Sequence, residues 1–85
     1  MVKDLYCLFS MFDMTVQIQT ADKSIDERIP LNEAVETIVD FGRSKHVSTI
    51  HLMGNTSYLS DFSNNIKEYS LTKYGHNVVE VKINE

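Results

Sequence analysis

VSTIHLM at residues 47–53 and VVEVKI at residues 78–83 flank the run GNTSYLSDFSNNIKEYSLTKYGHN of residues 54–77. Both flanks are short apolar runs rich in β-branched residues, the composition of strands. Between them, Leu59, Phe62, Ile66, Tyr69 and Lys73 recur at spacings of three and four, which predicts one buried stripe on a helix. Asn55, Thr56 and Ser57 supply helix-capping side chains at its start. Gly75 is a natural residue for a left-handed helix end, with His76 and Asn77 completing the turn. A strand–helix–strand unit of this length closes as a right-handed crossover, so the two strands are predicted to run parallel.

Working towards the N-terminus, residues 32–46 are predicted to form another helix. Asn32 is the expected N-cap. Glu33 and Glu36 at the start and Arg43, Lys45 and His46 at the end oppose the helix dipole. Val35, Ile38, Val39 and Gly42 form the core stripe. Gly42 costs about 1 kcal/mol against Ala inside a helix, so a close approach to the sheet is expected there. Ahead of this helix the chain reads as three strands. Leu5–Phe12 is almost wholly apolar, Asp13 marks a bend between two strands, with one long bent strand as the alternative, and Met14, Val16 and Ile18 then alternate with Thr15, Gln17 and Gln19. The polar run Ala21–Ser24 is a turn. Ile25–Leu31, with its interleaved charges, reads as an edge strand. The expected fold is α/β, one domain over residues 1–85, in the order β-β-β-α-β-α-β, with a mixed sheet and two helices.

Composition narrows the function. Eight basic and 12 acidic residues leave a net charge of −4, and the basic residues are scattered. A basic footprint for nucleic acid is therefore not expected. One cysteine, Cys7, allows no internal disulfide, which fits a reducing, cytoplasmic setting. No secretory signal is seen and no membrane span is expected, because the apolar run of residues 5–14 is short and interrupted. In a chain of 85 residues, folding buries only about 60% of the unfolded surface, so help from a partner is a natural route to stability.

The order of elements resembles the ribonuclease H-like fold in its shortest form, across nearly the whole chain. That resemblance implies a metal-dependent nuclease site built from an acid on the first strand, an acid on the first helix and an acid after the fourth strand. Here Asp4 or Asp13 would supply the first, Glu36 or Asp40 the second, and Asn55 stands where the third belongs. The style of the chain, rich in Asn, Ser, Ile and Lys with no catalytic motif, is also similar to that of small bacteriophage accessory proteins.

Three further features carry candidate roles. Gly54, Asn55, Thr56 and Ser57 lie where a strand gives way to a helix, a favoured position for anionic ligands, although capping explains the same residues. His46, His51 and His76 lack metal-ligand spacing, so no metal or cofactor is expected. Leu5, Tyr6, Leu8, Phe9, Met11, Phe12 and Met14 exceed what two small helices can cover, which predicts an apolar contact surface. The resulting expectation is a non-enzymatic, self-associating interaction module, a homodimer that also binds another protein. A ribonuclease H-like nucleic-acid-processing domain and a binder of small anions at Gly54–Ser57 are the alternatives.

Overall fold

The computed structural model describes residues 4–10, 12–54 and 56–84. The elements are β1 (Asp4–Ser10), β2 (Thr15–Gln19), β3 (Asp26–Pro30), α1 (Ala34–Lys45), β4 (Thr49–Met53), α2 (Thr56–Tyr74) and β5 (Glu80–Asn84). They form a mixed sheet of order β3-β2-β1-β4-β5. β1, β2 and β3 pair antiparallel, whereas β4 runs parallel to both β1 and β5. The crossover predicted for residues 47–83 is present, with Ile50 level with Val81 and Leu52 level with Ile83.

Side chains alternate across a strand, and here the alternation sorts the sheet into two unlike faces. Leu5, Cys7 and Phe9 of β1, Val16 and Ile18 of β2, and Ile50 and Leu52 of β4 are all buried. They meet Ala34, Ile38 and Val39 of α1 and Leu59, Phe62 and Ile66 of α2 in one core. Phe9 and Phe62 pack edge to face with ring centroids 4.4 Å apart. Both helices therefore lie on the same side of the sheet. Two right-handed crossovers that step in the same direction, β3 to β4 and β4 to β5, require that outcome. Among the described residues no helix is long and apolar enough to cross a membrane.

Several local expectations change. The opening strand ends at Ser10, and residues 12–14 form the turn into β2. Met14 takes a left-handed conformation (φ 58°) and is half exposed, so it leaves the stripe of Val16 and Ile18. Asn32 does not cap α1. It sits in a 3-10 turn, Leu31–Glu33, that begins after Pro30 and runs into the helix. Pro30 closes β3 and stands at the cap position of that turn with extended backbone (φ −62°, ψ 144°), so helical geometry starts at Leu31, ahead of Asn32. Lys73 is exposed, and the buried stripe of α2 continues through Ser63 and Ser70 instead. Gly42 behaves as expected: a Cβ there would stand 2.6 Å from Val79 Cγ1.

The apolar opening strand is central, with β2 on one edge and β4 on the other. Self-association by adding a strand to β1 is thereby excluded. Leu5 and Phe9, expected in an uncovered patch, are 0% and 7% exposed. The two helices do cover half of β1, because only alternate residues face them.

Candidate functional site: the uncovered face of the sheet

The face turned away from the helices is set by the strand register. Tyr6 stands level with Gln19 of β2 and His51 of β4, and Leu8 level with Gln17 and Met53. Asp26 and Arg28 of β3 extend these rows on one side, and Lys82 of β5 extends the first on the other. The rows thus run Asp26–Gln19–Tyr6–His51–Lys82 and Arg28–Gln17–Leu8–Met53. Tyr6 and His51 stack face to face, with centroids 4.6 Å apart and planes 13° from parallel. His51 Nε2 lies 2.9 Å from Asp4 Oδ1, the imidazole donating to the carboxylate. Leu8 is 49% exposed beside half-buried Met53.

Polar side chains frame this centre. Asp26 accepts hydrogen bonds from Gln17 Nε2 at 2.8 Å and Gln19 Nε2 at 3.3 Å. Those bonds, Gln17 first, hold its carboxyl below the ordinary aspartate range. They also lay the Asp26 carboxylate over the sheet. Arg28 is engaged by Asp13 at 3.5 Å.

The carboxylates that the nuclease resemblance would gather are spread over the molecule. Asp4 opens β1, whereas Asp13 lies beyond its other end and accepts from Thr15 Oγ1 at 2.7 Å. Asp40 of α1 is clamped against α2 by Tyr74 Oη at 2.7 Å and Lys73 Nζ at 3.0 Å. Burial opposes its charge, but the hydrogen bonds from Tyr74 and Lys73 outweigh it and lower its pKa. Asn55 lies outside the described residues. Among those described, no three His, Cys, Asp or Glu side chains form a group able to hold a metal. Cys7 faces the core, and burial pushes its thiol up to about 12, so it carries almost no thiolate at neutral pH.

The residues proposed for anion binding are partly visible. Gly54 has φ 143°, and a Cβ there would approach Phe9 Cβ to 3.3 Å, so the turn requires glycine. Thr56 begins α2 and Ser57 is exposed. The adjacent groove, of about 640 Å³, is lined by Met14, Leu31, Val35, Tyr58 and Phe62 with amides from Asn32 and Asn65. It presents no cationic side chain to an anion. Of the proposed contact residues, Tyr6 and Leu8 lie on the uncovered face, Phe12 and Met14 in the exposed turn, and Met11 outside the described residues.

His51 and Met53 were not anticipated as partners of Tyr6 and Leu8. Their signal was the alternation of Thr49, His51 and Met53 with Ile50 and Leu52, legible only once β4 is known to lie beside β1. No family model matches the chain, nor does any curated protein or solved structure.

Proposed function

We propose that the protein is a non-catalytic interaction module that associates through the uncovered face of its sheet, with a second copy of the chain as the occupant. The observation that carries this is the asymmetry of the sheet. Antiparallel sheets commonly keep one wet face, whereas parallel strands are normally covered on both. Here the parallel set β1, β4 and β5 is covered on one side alone, and its bare side presents Tyr6, Leu8 and Met53 at the centre. Apolar groups at the middle of a face with polar groups around them have the layout of a protein contact. At one edge, Pro30 and exposed charges on β3 discourage further strand pairing, and at the other β5 carries exposed Glu80 and Lys82, so association by face is favoured over association by edge.

Sedimentation velocity over a range of concentrations tests this. The wild-type chain is expected to shift from monomer to dimer as concentration rises. Leu8→Lys is expected to remain monomeric with a melting temperature close to that of wild-type monomer, since Leu8 points away from the core. A wild-type chain that stays monomeric at every concentration, or a Leu8→Lys chain that dimerises equally well, overturns the proposal.

A further inference from the structure

β1, β3, β4 and β5 all run in one direction, so their carboxyl ends gather at one end of the sheet. From there the chain leaves β1 for β2 on one side, and leaves β4 through α2 for β5 on the other. In open α/β sheets, ligands settle in the crevice outside the carboxyl ends, where connections part in this way. The groove of about 640 Å³ opens at this end and has the size of a small-molecule cleft. Met14 follows β1 and Leu31 follows β3, and the Leu31 N–H donates to the Met14 carbonyl at 2.9 Å, which ties the two connections together. Val35 of α1 lines one wall, and Tyr58, Phe62 and Asn65, spaced by four and three along α2, line the other. Phe62 is anchored edge-on against Phe9 of β1, so the core itself fixes the floor of the groove.

The lining specifies the chemistry of the occupant. It contains no Lys, Arg, His, Asp or Glu. A charged ligand would shed hydration against these walls with no opposite charge in return. Asn32, ahead of α1, and Asn65, on α2, bring one carboxamide from each side. A carboxamide offers two donors and an acceptor carbonyl, and neither of these makes a side-chain hydrogen bond among the described residues. We infer that the groove binds a neutral, mostly apolar small molecule carrying an amide-like donor and acceptor. Its apolar body lies between Val35, Tyr58 and Phe62, and its polar edge meets Asn32 and Asn65. The site is separate from the bare face of the sheet, because both helices pack on the other side.

Two probes of similar size test this: acetanilide, a neutral phenyl ring bearing one amide, and benzoate, an anion. Each is titrated into the isotope-labelled full chain and followed by heteronuclear NMR. Acetanilide is expected to give saturable shifts of the Asn32 and Asn65 side-chain amides, with a Kd on the order of 1 mM, as suits so small a molecule. Benzoate is expected to bind about tenfold more weakly or not at all. Asn32→Ala and Asn65→Ala, both at exposed positions, are each expected to weaken acetanilide about fivefold without lowering the melting temperature. Leu8→Lys, on the opposite face, is expected to bind acetanilide as the wild type does, so this site and the self-association proposed above stand or fall separately. The absence of saturable shifts with acetanilide, equal affinity for benzoate, or unchanged affinity in both alanine variants overturns the inference. Shifts of the groove residues when the protein is concentrated without a probe also overturn it, because a second copy would then be the occupant.

Discussion

Gly42 shows how a single missing methyl can set the distance between two layers. Its backbone is helical, and nothing in its conformation demands glycine; the demand comes from Val79 Cγ1, 2.6 Å from where a Cβ would sit. Gly42→Ala gains about 1 kcal/mol of helix propensity but overpacks a β-branched side chain that cannot easily turn aside, at about 1–3 kcal/mol. Net destabilisation of about 1 kcal/mol is expected by urea unfolding, and the sign should reverse in a Val79→Ala background. Asp22 offers a second test. Its carboxylate accepts from the Ser24 backbone N–H at 3.0 Å, from Thr20 Oγ1 at 2.8 Å and from Ser24 Oγ at 2.8 Å. These bonds, the backbone one first, lower its pKa to about 2. A depressed folded pKa gives stability that is full above the unfolded value of about 4 and is lost as pH falls towards the folded value. The melting temperature of Asp22→Asn should therefore lie below wild type at pH 6, and the difference should vanish near pH 2.

At the scale of elements, the joint between α2 and β5 depends on a residue with no sequence signature. Ser70 is 1% exposed. Its hydroxyl donates to the His76 carbonyl at 2.7 Å and accepts from the Val78 N–H at 2.7 Å. It thereby satisfies two main-chain groups in the turn that follows Gly75, whose N–H bonds to the Leu71 carbonyl at 3.0 Å. Ser70→Ala should cost about 1–3 kcal/mol, the penalty for stranding buried polar groups, while Ser70→Thr should cost less provided its extra methyl is accommodated; chemical denaturation of both variants checks this. On the opposite flank, the clamp of Asp40 to Tyr69, Lys73 and Tyr74 fixes α1 against α2. Periodicity placed Lys73 in the buried stripe of α2. A three-and-four rule counts spacing alone, and it cannot see that the next helix supplies an acid at the surface.

Across the whole molecule, the association proposed for the bare face of the sheet would link stability to protein concentration. A ligand that binds only the folded state raises the melting temperature by mass action, and a second copy acts as such a ligand. The wild-type melting temperature should rise with protein concentration, and that of Leu8→Lys should not; differential scanning calorimetry at several concentrations distinguishes them.

Local pattern was enough to establish the order of elements, the parallel pairing of β4 with β5, the edge character of β3 and the tight spot at Gly42. Each of these depends on neighbours in sequence or on a connection whose handedness is nearly invariant. The position of β1 in the middle of the sheet, the placing of both helices on one side, and the assembly of Tyr6, Leu8, His51 and Met53 into one bare face were decided by tertiary structure alone. An apolar strand reads the same whether its alternate residues meet helices, solvent or another chain; what covers each face is decided by the helices and by β4, whose residues lie more than 40 positions away along the chain.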